Sequence, residues 1–140
     1  MPMNSLERQL AKHEGLRLKP YRCTAGKLTI GYGRNLEDNG ITKAEALTML
    51  RNDIANVKAE LERLGWWRRL DDARQDVIAN MAFNIGLTRL LTFKRMIAAI
   101  EDADYTKAAD EMMDSKWAAQ VGSRAVELAR KMKGEDNERY

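Results

Sequence analysis

The chain has 140 residues, of which 44% are hydrophobic and 32% charged, a length and balance that indicate one soluble globular domain with a core of its own. No apolar run is long enough to span a membrane, and the N-terminal residues lack the continuous apolar stretch of a secretory signal peptide. A single cysteine excludes an internal disulfide, which is typical of proteins made in a reducing compartment.

The net charge of +3 is concentrated in the first half of the chain. Residues 1–65 carry 11 basic and 8 acidic side chains, whereas residues 66–140 carry 13 of each. A basic first half favours an anionic partner such as nucleic acid, a membrane surface or a bacterial wall. A solvated surface with no partner fits the composition equally well.

The first predicted element is a helix over about residues 5–13. Asn4 can cap it, and Glu7 three residues later completes a capping-box pattern. Gly15 is typical of a helix end. Glu14 therefore lies at the last turn of a rigid helix, although the negative partial charge of a helix C-terminus disfavours a carboxylate there.

Residues 16–35 are rich in β-branched and aromatic side chains and predict the one β element of the chain, with a turn at Ala25-Gly26. A three-residue loop centred on Gly26 would place Cys23 opposite Thr29, with both side chains on one face. The pattern thus brings a thiol and a hydroxyl together on one side of a hairpin.

Two glycines and a polar stretch follow the hairpin. Gly31 and Gly33 either break the strand or allow a close approach to the backbone. Residues 35–40, NLEDNG, are predicted as a loop with an Asn-Gly turn.

The clearest helical pattern covers about residues 43–64 and begins with a capping box between Thr42 and Glu45. Apolar residues recur along it at three- and four-residue steps: Leu47, Leu50, Ile54, Val57, Leu61 and Leu64. Gly65 is predicted to end it. Such a helix would span roughly 33 Å, long enough to bridge two lobes.

Four further helices are predicted over about residues 72–84, 92–100, 105–117 and 123–134, with Gly86 ending the first of them. The final EDNERY stretch is polar, and we expect it to fray. The predicted class is therefore α+β and mostly α, with two lobes joined by the long helix. Ligands commonly bind in a cleft between lobes of this kind.

Several kinds of site are disfavoured by the residues themselves. His13 and Cys23 alone fall short of a metal site, which needs three or four ligands, so we expect no metal and no cofactor. A Cys-His nucleophile pair needs the two side chains within hydrogen-bond reach, and the helical position directs His13 differently. The Gly31-Tyr32-Gly33 fragment is too short for a phosphate-binding loop.

The sequence differs in how well it fits nucleic-acid binding and acid catalysis. No predicted helix carries a row of Arg, Lys and Asn side chains along one face, as groove binding requires, so we expect no nucleic-acid partner. Glu14, held at a helix end, fits a general acid. A lone Glu at a helix terminus is nevertheless more often structural, and spacing alone leaves both interpretations open.

Residues 13–34, HEGLRLKPYRCTAGKLTIGYGR, resemble the catalytic signature of phage-type lysozymes, the endolysin muramidases of glycoside hydrolase family 24 in lambdoid and T-even phages. The family pattern has a Glu-Gly pair at the end of the first helix. An Asp or Cys follows nine residues after that Glu, and a Thr fifteen after it. These positions are Glu14, Cys23 and Thr29 here. The resemblance continues through DNGITKAEAL, MAFNIG and residues 117–124.

The resemblance implies a role for each matching residue. Glu14 would be the general acid that protonates the glycosidic oxygen, and Thr29 would help to place the attacking water. Cys23 occupies a position that is often Asp, which acts as base or electrostatic partner. Because glycosidases usually use two carboxylates, this thiol leaves the second half of the mechanism open.

Three later residues match positions that line the substrate cleft of the family. These are Asn84, at a position that is commonly Gln, together with Gln120 and Arg124. The arginine would be able to pair with Glu14. A plain surface charge on the last helix is an equally good interpretation of Arg124.

The resemblance also implies a lysozyme-like two-lobe fold in a single domain, residues 1–140. A small β lobe would cover about 15–41, the interlobe helix about 43–64 and the helical lobe about 66–134, with the first helix packed on the helical lobe.

The substrate implied by the family is the β-1,4 bond between N-acetylmuramic acid and N-acetylglucosamine in peptidoglycan, cleaved with inversion. We expect a monomer without stable membrane insertion, made in the host cytoplasm and acting on the wall in the periplasm after release through a holin. The alternatives are a lytic transglycosylase that uses Glu14 alone, and a non-catalytic peptidoglycan-binding module.

Overall fold

The computed structural model describes residues 2–135, so most of the terminal stretch that we expected to fray lies outside the described residues. The elements in chain order are α1 (Ser5–Glu14), β1 (Arg17–Arg22), β2 (Leu28–Gly31), β3 (Arg34–Asn35), α2 (Leu36–Asn39), α3 (Lys43–Leu61), α4 (Gly65–Arg68), α5 (Asp72–Leu90), α6 (Lys94–Glu101), α7 (Tyr105–Met113), α8 (Lys116–Val121) and α9 (Ser123–Lys133). This mostly helical chain with one small sheet confirms the predicted α+β class.

The chain divides into two compact units, Met1–Met49 and Leu50–Tyr140. The boundary between them falls inside α3. The first unit therefore contains α1, the sheet and the start of the long helix, and the second contains the remaining helices. The packing of α1 on the helical lobe stays a prediction.

Helix α1 begins as the sequence predicted. Asn4 Oδ1 accepts a hydrogen bond from the Glu7 N–H at 2.8 Å, and Glu7 Oε1 accepts one from the Asn4 N–H at 2.7 Å. The helix extends to Glu14, and Gly15 follows it with φ +75°. The carboxylate of Glu14 thus belongs to the last helical residue.

The sheet is antiparallel, in the order β1-β2-β3, but the predicted hairpin register was wrong. Tyr21, not Cys23, lies opposite Thr29. The Cys23 N–H donates instead to the Lys27 carbonyl at 2.9 Å, so the loop is centred on Ala25 and the register shifts by two residues. Because strand side chains alternate with a period of two, an even shift leaves Cys23 and Thr29 on the same face.

The predicted loop over residues 35–40 contains more structure than expected. Its first residue ends β3, and the next four form α2. Asn35 caps this short helix by accepting the Asp38 N–H at 3.0 Å. Gly40 ends it with φ +58°, so the Asn-Gly pair ends a helix where a turn within a loop was predicted.

The capping box of α3 is confirmed. Thr42 Oγ1 accepts the Glu45 N–H at 3.1 Å, and Glu45 Oε1 accepts the Thr42 N–H at 2.8 Å. The helix ends at Leu61, three residues earlier than predicted, and Gly65 does not end it but begins α4. Trp66 and Trp67, both in α4, are buried in the core.

The apolar core lies in the second unit. Its largest fully buried side chains are Trp117, Leu61, Ile78, Met81, Leu90, Met96, Met112, Met132 and Val77. Gly86 interrupts α5 with φ +82°, as the sequence indicated. The helix predicted over 105–117 is two helices, because the Ser115 hydroxyl accepts the Ala118 N–H at 3.1 Å and starts α8 there.

The first unit is built differently. Thr29 is the one buried residue among residues 2–49. Polar contacts therefore carry much of its structure, most clearly the paired contact in which Arg34 Nη1 and Nη2 donate to Glu45 Oε1 and Oε2 at 2.8 and 2.6 Å. This contact ties β3 to the first turn of α3. No helix within residues 2–135 is long and apolar enough to cross a membrane.

The Arg34–Glu45 contact makes a prediction about acid stability. Hydrogen bonds from Arg34 and the Thr42 N–H hold the pKa of Glu45 at about 2, below its ordinary value of 4.5. Because the folded value lies below the unfolded one, the carboxylate stabilises the folded state fully above about pH 4.5, and this stabilisation is lost as the pH falls towards 2. Glu45→Gln should therefore flatten the dependence of unfolding free energy on pH across this range.

Denaturant unfolding monitored by circular dichroism at several pH values would measure this slope. Glu60→Gln, an exposed change on the same helix, should leave it as in the wild type. Equal slopes for the wild type and Glu45→Gln would contradict the assignment.

Candidate active site

Glu14 is held on both sides by regular structure. It is the last residue of α1, and β1 begins three residues later at Arg17. The positive φ of Gly15 makes the sharp turn between them. The Glu14 side chain is exposed, so its carboxylate is accessible to a ligand while its backbone is fixed.

The Glu14 carboxylate lies directly against the backbone of Gly33, in the turn between β2 and β3. A Cβ placed on Gly33 would be only 2.6 Å from Glu14 Oε2 and 3.0 Å from its Cδ. Gly33 also has φ +77°, a conformation that other residues rarely adopt. The sequence indicated that Gly33 could allow a close approach to the backbone, and the group that approaches it is the Glu14 carboxylate. We had not predicted Gly33 as a site residue.

Cys23 and Thr29 meet at the other end of β2. The Thr29 side chain is buried, and its hydroxyl donates to the Lys27 carbonyl at 2.9 Å. The Cys23 thiol is half-buried. Hydrogen bonds from the Lys27 N–H first, and also from the Ala25 N–H and the Thr29 hydroxyl, lower the pKa of this thiol, while burial opposes them.

The Thr29 hydroxyl has one proton and two acceptors, the Lys27 carbonyl and the Cys23 sulfur. The hydroxyl can donate its proton to the Lys27 carbonyl when Cys23 is a neutral thiol. It can donate to the sulfur when Cys23 is a thiolate. In either state its oxygen keeps lone pairs that can accept a hydrogen bond from water.

Arg22 and Lys27, two basic side chains close to Cys23 in the sequence, are paired with acids. Arg22 Nη1 is 3.1 Å from Glu37 Oε1, and Lys27 Nζ is 3.2 Å from Asp38 Oδ1. These cations are paired with the two acids of α2. The largest causes of the lowered pKa of the thiol are the backbone N–H groups of Lys27 and Ala25.

An open pocket of about 810 Å³ in the first unit is lined by residues of β2, β3 and the start of α3. Its lining includes Gly33, Arg34 and three exposed apolar or aromatic side chains, Tyr32, Ile41 and Met49. Pockets lined largely by apolar side chains with a few polar groups are typical of ligand-binding sites.

The second unit holds the other predicted residues. Asn84 Oδ1 accepts the indole N–H of buried Trp117 at 2.8 Å, so part of its amide is engaged in the core while the residue remains exposed. Gln120 is exposed on α8. Arg124 Nε and Nη2 donate to Asn80 Oδ1 at 3.0 and 2.7 Å.

Arg124 is therefore more than a free surface charge. It is half-buried and lines a pocket of about 360 Å³ with Asn80 and the exposed apolar side chains of Leu50, Ile54 and Phe83. Its contact with Asn80 was not predicted, because the two residues are 44 positions apart.

The phage lysozyme family model matches residues 11–135. The chain belongs to the phage lysozyme family. It is 37% identical to an endolysin of Acyrthosiphon pisum secondary endosymbiont phage 1, over 85% of this chain and 82% of that protein.

Two other relatives show the range of proteins that contain this domain. The chain is 28% identical to probable T4-type lysozyme 1 of Dictyostelium discoideum, over 88% of this chain and 90% of that protein. It is 30% identical to the pre-baseplate central spike protein of Enterobacteria phage T4, over 89% of this chain but only 27% of that protein.

The structure thus brings together two groups of predicted residues within the first unit and reveals new partners for both. Glu14 lies on Gly33, and Cys23 lies with Thr29. Asn84, Gln120 and Arg124 belong to the second unit. That these residues line one cleft with Glu14 stays a prediction of the family resemblance.

Gly33→Ala should displace the Glu14 carboxylate, because the added methyl group would overlap its oxygen. The flexible Glu14 side chain can yield, so the loss of stability should come mainly from the positive φ of Gly33, as at Gly40. Bacteriolytic activity should fall about 10²-fold if Glu14 is the general acid that the family resemblance implies, because a misplaced catalytic group works poorly. Turbidity loss of a cell-wall suspension, together with thermal unfolding, would measure both effects.

Gly40→Ala is a matched control, since Gly40 also has a positive φ but nothing lies within 4 Å of an added Cβ. It should lose stability and keep its activity per folded molecule. If both variants lost activity equally, the contact with Glu14 would have no special role.

Proposed function

We propose that this member of the phage lysozyme family is a peptidoglycan hydrolase that cleaves the β-1,4 bond between N-acetylmuramic acid and N-acetylglucosamine. The observation that carries the proposal is the seating of the Glu14 carboxylate on the Gly33 backbone, at the end of a rigid helix. Catalytic acids need this combination of fixed position and access. The match to a phage endolysin supports a role in host lysis.

In the proposed reaction, the Glu14 carboxyl group donates its proton to the glycosidic oxygen as the bond from that oxygen to the anomeric carbon breaks. A water molecule attacks the anomeric carbon from the opposite face and gives its proton to the Cys23 thiolate. The Thr29 oxygen accepts a hydrogen bond from this water and orients it. Attack from the opposite face gives inversion.

The thiol is a chemically reasonable base at this position. A carboxylate is the usual choice, and a thiol with an ordinary pKa is mostly neutral at pH 7. Hydrogen bonds from the Lys27 and Ala25 N–H groups lower the pKa of Cys23, which increases the fraction of thiolate available to take the proton.

The second unit would supply binding groups for the glycan. Asn84 and Gln120 carry exposed amides, and Arg124 carries a cation oriented by Asn80. The basic first half of the chain suits an anionic envelope. The whole enzyme would be made in the host cytoplasm, released through a holin, and would act as a monomer on the wall.

One observation favours a second candidate, a lytic transglycosylase. Cys23 stands where glycosidases usually have a second carboxylate, and a transglycosylase needs only the acid, Glu14. Digestion of purified peptidoglycan followed by mass spectrometry separates the two. Reducing ends support hydrolysis, 1,6-anhydro ends support the transglycosylase, and binding without released fragments supports a wall-binding module.

Glu14→Gln should lower peptidoglycan digestion by about 10²- to 10⁴-fold, the usual contribution of a general acid. Its thermal unfolding should match the wild type, because the residue is exposed and an amide fills the same space on Gly33. Glu60→Gln on α3 is the control and should digest normally. Substantial digestion by Glu14→Gln would remove Glu14 from the mechanism.

Cys23→Asp should keep or raise the activity, since it restores the carboxylate that the family commonly has. Cys23→Ala should lose about 10²-fold if the thiol is the base. Cys23→Ser keeps the shape but lacks an acidic proton, so it should resemble the alanine variant. Initial rates on purified peptidoglycan measure all three, and an alanine variant as active as the wild type would exclude a chemical role for the thiol.

A further inference from the structure

Glu37, on the short helix α2, lies at the base of the turn that carries Cys23. Its Oε1 accepts the backbone N–H of Leu28, the first residue of β2, at 3.2 Å. The same oxygen accepts from Nη1 of Arg22, the last residue of β1, at 3.1 Å. One carboxylate oxygen therefore joins the two strands where the turn begins and ends.

The contact extends into the turn itself. Arg22 Nη1 also donates to the Gly26 carbonyl at 3.0 Å. Within the turn, the Gly26 N–H donates to the Cys23 carbonyl at 2.8 Å, and the Cys23 N–H donates to the Lys27 carbonyl at 2.9 Å. Backbone bonds close this turn, and Glu37 holds it from outside through Arg22 and Leu28.

We propose that Glu37 is a positioning residue that keeps the Cys23–Lys27 turn in the shape that directs the Lys27 and Ala25 N–H groups at the Cys23 sulfur. Glu37 would act through Leu28 and Arg22 and would not touch substrate. The effect of Glu37 on catalysis rests on the proposed function of Cys23 as the base. The effect of Glu37 on the Cys23 thiol is independent of that proposal.

Because the turn is surrounded by charged groups, the direction in which a change at Glu37 shifts the pKa of the Cys23 thiol is informative. Arg22 at the end of β1 and Lys27 in the turn are cations, and Glu37 and Asp38 on α2 are anions, with Lys27 Nζ 3.8 Å from Glu37 Oε2. Through its negative charge alone, Glu37 would disfavour a thiolate. As an anchor for the turn, it favours one. Removing its charge and removing its hydrogen bonds should therefore have opposite effects on the thiol.

Glu37→Ala removes both the charge and the hydrogen bonds, whereas Glu37→Gln removes the charge but keeps an amide oxygen that can accept from Leu28 and Arg22. Cys23 is the only cysteine, so its reaction with iodoacetamide as a function of pH reports its thiolate fraction directly. We expect Glu37→Ala to raise the thiol pKa and to slow alkylation at pH 7 roughly threefold to tenfold, the value of about one hydrogen bond. Glu37→Gln should react like the wild type or slightly faster.

A control and a second variant complete the test. Asp38→Ala, on the same helix, removes the ion pair to Lys27 but no contact to Leu28 or Arg22, and should not slow alkylation. Arg22→Ala removes one of the two anchors and should slow it by an intermediate factor. Exposed ion pairs contribute little to global stability, so all four proteins should unfold close to the wild type.

The outcomes are distinct. If Glu37→Ala speeds alkylation, or reacts like Glu37→Gln and the wild type, Glu37 does not hold the turn and the proposal is overturned. If Glu37→Ala slows alkylation and also shifts the rise of peptidoglycan digestion to higher pH, both the positioning role and the base are supported. If alkylation slows while the digestion profile is unchanged, Glu37 positions the turn as proposed, but Cys23 is not the base.

Discussion

Two glutamates, Glu37 and Glu45, each accept a hydrogen bond from a backbone N–H and from an arginine. Glu37 joins Leu28 to Arg22, and Glu45 joins Thr42 to Arg34. Thr29 is the one buried residue among residues 2–49, so contacts of this kind decide where the strands and helices of the first unit meet. Hydrophobic burial positions the helices of the second unit. It does little to position the elements within residues 2–49.

The proposed catalytic groups depend on backbone atoms more than on neighbouring side chains. Glu14 is seated on a glycine because only the missing Cβ allows its carboxylate so close. The backbone N–H groups of Lys27 and Ala25 are the main cause of the lowered pKa of the Cys23 thiol. Backbone dipoles need no ionisation and lose no side-chain entropy when they are fixed. A thiol can therefore have a lowered pKa although the nearby cations are paired with the acids of α2.

Local patterns predicted the parts of the fold that are stabilised locally. The capping boxes of α1 and α3 and the break at Gly86 involve residues at most a few positions apart, so their sequence signals were sufficient. The hairpin register was wrong because Ala25 and Gly26 are both reasonable centres for the loop, and only the bond from Cys23 to Lys27 distinguishes them. The early end of α3 was missed because burial of the two tryptophans, a tertiary effect, outweighed the helical periodicity.

The sequence by itself determined the family, the positions of Glu14, Cys23 and Thr29, and the helical class, because motif spacing and capping act over short distances along the chain. Tertiary structure decided that Gly33 seats Glu14, that Asn80 orients Arg124, and that Glu37 and Glu45 tie the sheet to the helices that follow it. These contacts join residues 9 to 44 positions apart. Spacing cannot predict them, because hydrogen bonds and close packing depend on where the folded backbone places each atom.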